Sequence, residues 1–324
     1  MSDLANWAFP ESMQPSQRQV SFDLAAALDA VVQVHAVIPD GAFTTPILGN
    51  ERIGNGVVIG DDGLVLTIGY LITEAETIWL TTNSGAVLPA TVLAYDFATG
   101  FGLVFPLGKL NAPVMQRGSA KTVSVGDDVI FIGHGGRSHT LNASIVDKRE
   151  FAGYWEYVLD EAIFTAPAHP QWGGAALVGQ DGLLLGIGSL VVDDAAPGKP
   201  TQGNMIVPID LLEPVLDDLF TRGRSPLPPR PWLGMYTAES EGQLVVANVA
   251  PMGPAERAGV MPGDFVTEVD GARPASLADL FRRIWHVGPA GCEIPLTILR
   301  DGKLLRANVR SADRSDFLYK PKMH

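Results

Sequence analysis

The side chains able to do chemistry are few and scattered. The six histidines are His35, His134, His139, His169, His286 and His324, and the one cysteine is Cys292. None of the histidines stands at a metal-ligand spacing such as His-Glu-x-x-His. A lone thiol can neither close an intrachain disulfide nor build a cysteine metal site. No metal and no cofactor is therefore expected. Acyl transfer asks for a hydroxyl or thiol nucleophile, an imidazole to take its proton and a carboxylate to orient that imidazole. Ser138, Ser189, His134, His139 and His169 are the hydroxyls and imidazoles in the middle of the chain. The simpler reading of each is a polar loop residue or a hydrogen-bonded histidine.

These residues must be positioned by short strands. Val, Ile and Leu cluster at 31–38, 56–60, 63–68, 77–82, 87–95, 101–105, 128–133, 141–147, 157–164, 175–179, 183–190 and 204–207, cut at intervals by Gly, Asp or Asn. Many short strands at regular spacing predict a closed antiparallel barrel or a sandwich. Asp61-Asp62-Gly63, Gln180-Asp181-Gly182 and Asp301-Gly302 are tight-turn signals. A short helix over 21–28, capped by Ser21 or Asp23, opens the first domain, and helical spacing over 209–221 closes it.

The run Ser225-Pro226-Leu227-Pro228-Pro229-Arg230-Pro231 reads as a semi-extended linker. Beyond it, strands near 233–237, 243–249, 264–269, 294–299 and 303–310 and helices near 254–258 and 276–287 make a second, smaller domain. The expected division is an arm over 1–20, a first domain over 21–222, a linker over 223–230, a second domain over 231–312 and a loose tail over 313–324.

Composition agrees with a globular chain. Of 324 residues, 46% are hydrophobic and 18% charged, with 35 Gly and 24 Pro, which excludes a coiled coil and a disordered chain. Residues 1–220 hold 9 Lys and Arg against 25 Asp and Glu, a charge of −16, and the remainder holds 14 against 11, or +3. An acidic larger part repels phosphate backbones, so nucleic acid is not an expected partner. No apolar run reaches the roughly 18 residues of a membrane span, and the opening Met1-Ser2-Asp3-Leu4 lacks a basic and then apolar leader. A cytoplasmic location without a membrane span is expected on that basis.

Several segments together resemble one family. Gly54-Asn55-Gly56-Val57-Val58-Ile59 is followed by Leu66-Thr67-Ile68-Gly69-Tyr70-Leu71, then by Asp96-Phe97-Ala98-Thr99-Gly100-Phe101-Gly102-Leu103-Val104, then by His169-Pro170-Gln171-Trp172-Gly173-Gly174-Ala175-Ala176-Leu177. After the linker come Trp232-Leu233-Gly234-Met235 and Pro254-Ala255-Glu256-Arg257-Ala258-Gly259-Val260-Met261-Pro262-Gly263-Asp264. From about residue 21 to 310 the chain resembles an HtrA/Deg-type protein. The resemblance implies a mainly β fold, a trypsin-like double antiparallel β-barrel followed by a PDZ domain.

The resemblance places Tyr70, Gly100 and Trp172 at the family's base, acid and nucleophile positions, and Pro170 at an oxyanion position where a backbone N–H is needed. Indole is no nucleophile, a phenol is a poor base at neutral pH, glycine has no side chain and proline has no N–H. The expectation is a chain that is not an enzyme, an inactive homologue of serine endopeptidases with no catalytic residue, whose cleft is filled by Tyr70 and Trp172. The opposing expectation is an active serine-type endopeptidase using displaced residues, and a third is a structural oligomer or holdase.

The resemblance assigns peptide binding to the second domain. Such a domain adds an extended chain end to a sheet edge and receives its terminal carboxylate on successive backbone N–H groups. Trp232, Leu233, Gly234 and Met235 match that loop, and Leu280, Phe281 and Ile284 stand on the helix that forms the other wall. Protein C-termini or unfolded segments are the expected partners of a scaffold or adaptor. In the family an N-terminal segment packs protomers into trimers through aromatic residues, a role for which Trp7 and Phe9 are available.

Overall fold

The side chain of Asp23 accepts the N–H of Ala26 and so starts α1 (Leu24–Asp29), settling the choice between two possible caps. In the computed structural model, which describes residues 7–320, α1 leads into two closed barrels. The first comprises β1 (Val31–Val37), β2 (Glu51–Val58), β3 (Val65–Ile68), β4 (Thr77–Thr81), β5 (Val87–Tyr95) and β6 (Phe101–Pro106), in the order β1-β2-β3-β6-β5-β4, with α2 (Thr45–Leu48) between β1 and β2. Val34 pairs with Gly54 on one side and Leu80 on the other, and Val34, Leu66, Leu80 and Leu103 are fully buried. A Cβ on Gly56 would come within 2.4 Å of a Val65 methyl, so close packing requires glycine there.

The second barrel repeats the plan. It comprises β7 (Asp128–Ile132), β8 (Thr140–Gly153), β9 (Tyr157–Ala166), β10 (Ala176–Val178), β11 (Leu184–Val192) and β12 (Gly203–Pro208), in the order β10-β11-β12-β9-β8-β7. Its core gathers Phe131, Leu141, Ile145, Ile163, Leu177, Leu185 and Ile206. The closing helix is shorter than the spacing predicts: a single turn at Ile209–Leu211 is followed by α3 (Leu216–Arg222). Pro214 lies between the two and cannot donate the helical N–H.

The third sheet is five-stranded, with β13 (Met235–Ser240), β14 (Gln243–Val249), β15 (Phe265–Val269), β16 (Glu293–Arg300) and β17 (Lys303–Arg310) in sequential order, so β13 is an edge. Two helices accompany it, α4 (Pro254–Arg257) and α5 (Leu277–Val287), the latter capped by Ser276 and burying Leu277, Leu280, Phe281 and Ile284. The mainly β architecture is therefore the expected one.

Among the described residues, 7–149, 161–225 and 319–320 form one unit, and 150–160 with 226–318 form the other. Two features of this division differ from the sequence reading. The tip of the β8–β9 ribbon, Glu150–Asp160, belongs to the unit of the third sheet, because Val158 joins its apolar core. The segment after residue 312 is not loose. Trp232 and Ala312 exchange backbone hydrogen bonds at 3.0 Å, the Phe317 ring packs on Trp232, and the Tyr319 N–H donates to Glu74 at 2.6 Å. Within the arm, Phe9 donates its N–H to the Ser138 carbonyl, and the Trp7 ring packs edge-on to His139. Trp7 and Phe9, the residues available for packing between protomers, thus make contacts within their own chain.

Candidate functional site

The barrel positions singled out in the sequence converge. β3 ends in a turn, Gly69–Leu71, and the Gly69 N–H donates to the Gly100 carbonyl at 2.7 Å. Gly100 has φ +82°, a conformation that favours glycine. The Tyr70 hydroxyl donates to the Ser189 carbonyl at 2.9 Å, and Trp172 hydrogen-bonds to its oxygen. Burial pushes the phenol well above its ordinary range, outweighing that bond, so it is neutral at physiological pH. The Asn55 amide ties the neighbouring loop, donating to the carbonyls of Gln171 and Gly173 at 2.8 and 3.0 Å. Half-buried Trp172 packs against the second barrel's core.

The histidine nearest to Trp172 is structural. His169 is fully buried; its Nε2 donates to the His139 carbonyl at 2.9 Å and its Nδ1 accepts the Gln171 N–H at 3.0 Å. Burial lowers its pKa to about 4, because an imidazolium among Trp7, Phe9 and Phe131 has no water to solvate it. Ser138 Oγ lies 3.0 Å from His139 Nδ1, a hydroxyl–imidazole contact between sequence neighbours. Among the described residues no three His, Cys, Asp or Glu side chains are grouped to hold a metal ion.

The second unit presents a built carboxylate receptor. Gly234 takes φ +68°, and the N–H groups of Leu233 and Met235 converge on one carboxylate, that of Glu156. Leu233 reaches Glu156 Oε1 and Oε2 at 3.2 and 3.1 Å, and Met235 reaches Oε1 at 3.0 Å. Next along β13, the Thr237 N–H donates to the Tyr154 carbonyl at 3.1 Å. Leu280, Phe281 and Ile284 are fully buried in one apolar cluster with Leu233, Met235 and Val158. Trp232, expected beside the receptor, is buried and turned to Ala312 and Phe317.

Sequence reasoning passed over Glu156. The available signal was the aromatic run around it, Phe151, Tyr154, Trp155 and Tyr157, too apolar for a solvated turn. Burial pushes the Glu156 carboxyl up to about 7, working against the Met235 and Leu233 N–H donors and the Arg314 charge.

Two barrels with a five-stranded carboxylate-receiving unit define a trypsin-like peptidase domain joined to a PDZ domain. Residues 54–187 match the trypsin-like peptidase domain family, and residues 231–310 match the PDZ domain family. The chain is an HtrA/Deg-like protein. It is 28% identical over 279 residues to a probable periplasmic serine endoprotease DegP-like of Halomonas elongata, covering 82% of this chain and 57% of that relative. It is 26% identical over 265 residues to the serine endoprotease DegS of Haemophilus influenzae, covering 80% and 76%. In fold it is similar to the HtrA-type protease AlgWS227A with tripeptide, at a TM-score of 0.55 and 20% identity, covering 90% and 98%.

Two expectations are corrected by these relatives. That the chain is not an enzyme is overturned, since the relatives are named serine endoproteases. The residues at Tyr70, Gly100 and Trp172 exclude one arrangement of nucleophile and base, not every arrangement. A cytoplasmic location is overturned by relatives named as periplasmic. That expectation rested on an absent leader, and an absence carries no address. Among the described residues no helix is long and apolar enough to cross a membrane.

Proposed function

We propose that this protein works as a peptide-binding scaffold or adaptor, taking protein C-termini onto the edge of β13. The observation that carries this reading is the convergence of the Leu233 and Met235 N–H groups on one carboxylate. A chain end offers the same chemistry: a carboxylate for the loop, a backbone to pair with β13 and an apolar last side chain for the cluster around Ile284. Gly234 supports the geometry, because its left-handed conformation turns flanking amides toward one point. The AlgW neighbours, whose names include a tripeptide or a decapeptide, offer an analogous case. The test is titration of peptides with free and with amidated C-termini onto the full chain. Binding lost on amidation supports the reading; equal binding of both forms overturns it.

The relatives' names favour a second reading, peptide-bond hydrolysis in the first domain. The contact it would use is Ser138 Oγ to His139 Nδ1. Gly135 O also lies 3.1 Å from that nitrogen, so Nδ1 can accept the hydroxyl proton only in the tautomer protonated at Nε2. Fluorophosphonate labelling that disappears in Ser138→Ala would support this assignment, and labelling that persists would place the chemistry elsewhere.

A further inference from the structure

The carboxylate bound by the Leu233 loop comes from the chain itself. Three contacts of the segment 150–160 reproduce what a bound chain end would make. The Glu156 carboxylate takes the Leu233 and Met235 N–H groups, the Tyr154 carbonyl takes the Thr237 N–H of the edge strand, and Val158 enters the apolar cluster of Leu233, Met235 and Ile284. Glu156 holds φ +63°, an uncommon conformation for a residue with a side chain. At the base of the segment, Arg282 on α5 grips both arms, with Nη1 at 2.5 Å from Glu150 and Nη2 at 2.6 Å from Asp160.

We infer that segment 150–160 is an internal ligand of the PDZ groove, which an incoming chain end with an apolar last residue must displace. This rests on the peptide-binding reading above and adds its regulation. Two carboxylates cannot share the same two N–H donors, so occupancy is exclusive. The apparent affinity for an external peptide is then reduced by the fraction of molecules whose groove is free.

The exchange is coupled to protons. The groups facing Glu156 are the Leu233, Gly234 and Met235 amides, Arg314 and Tyr236. Docked, its carboxyl titrates near 7; released into water it returns to the ordinary carboxylate range. Docking is therefore favoured at low pH and weakens as pH rises toward 7. A competing peptide, already ionised throughout, binds more tightly at pH 7.5 than at pH 5.5, by about tenfold on this linkage.

The experiment is fluorescence anisotropy of a labelled decapeptide ending in valine, with a free or amidated C-terminus, on the full chain at pH 5.5 and 7.5. Wild type is expected to bind the free form more tightly at the higher pH. Glu156→Ala, which empties the loop, should bind it at least tenfold more tightly at pH 5.5 and lose the pH dependence. Glu156→Gln keeps the shape and an acceptor oxygen without titrating, so it should bind weakly and equally at both pH values. Arg282→Ala, which loosens only the base of the segment, should bind more tightly than wild type and keep the pH dependence. Carboxylate-dependent binding that is identical in wild type and Glu156→Ala overturns the internal ligand while leaving peptide binding intact. No binding by any of the four proteins, each checked to melt cooperatively, overturns both.

Discussion

The Tyr70 hydroxyl lies 2.9 Å from the carbonyl oxygen of Ser189, 119 residues further along the chain. The bond joins the end of β3 in the first barrel to β11 in the second, and Trp172 completes it from the side. Tyr70→Phe removes the donor and leaves a buried carbonyl unpaired. A loss of about 1–2 kcal/mol is expected, read as a lower midpoint in chemical denaturation with an unchanged slope.

His169 makes stability depend on pH. Its folded pKa, about 4, lies below the ordinary histidine value, so between these limits the unfolded chain binds more protons than the folded one. Stability should fall as pH drops from about 6.5 toward 4, by on the order of 3 kcal/mol from this group. His134, also lowered by burial, adds in the same direction. Glu156 has the opposite sign, its raised carboxyl stabilising the fold at low pH and losing that contribution as pH rises through about 7. Denaturation of wild type and His169→Gln across this range separates them, because the variant should lose the His169 share of the acid-side fall and keep the contributions of His134 and Glu156.

Glu74 is a buried carboxylate that accepts four bonds, from the N–H groups of Phe43, Thr44 and Tyr319 and from the Thr44 hydroxyl. Arg52 donates to the same Thr44 oxygen. Removing the carboxylate strands these donors, and Glu74→Ala should cost about 3–5 kcal/mol. It should also free the segment around Tyr319, seen as faster trimming of the C-terminus by carboxypeptidase.

Gly234 carries the receptor's geometry. A Cβ there would sit 2.9 Å from the Ala250 Cβ and 3.0 Å from the Trp232 ring, on a backbone at φ +68°. Gly234→Ala should destabilise the chain by about 1–2 kcal/mol and weaken binding of free C-termini more than it lowers the melting temperature would explain. Calorimetric titration alongside thermal melting checks both effects.

Much was legible from local pattern. Strands with alternating or continuous apolar residues and turns such as Asp61-Asp62-Gly63 and Asp301-Gly302 depend on neighbours a few positions away, and these were readable. The Leu233-Gly234-Met235 loop was placed by the family resemblance rather than by local pattern, and the left-handed conformation of Gly234 is seen only in the structure. The break at Pro214 was not read, because helical spacing over 209–221 hid it.

What the sequence by itself determined is the order of short strands and turns, because periodicity and turn chemistry are local; their grouping into two barrels and a third sheet came from the family resemblance. Only the tertiary structure decided what fills the receptor. The Glu156 carboxylate meets the Leu233 amide across 77 residues, and Val158 enters a core otherwise built after residue 232. Nothing near Glu156 in the chain announces that partner. The contact exists because folding brings the tip of a β-ribbon to an open sheet edge, where backbone N–H groups donate to whichever carboxylate arrives.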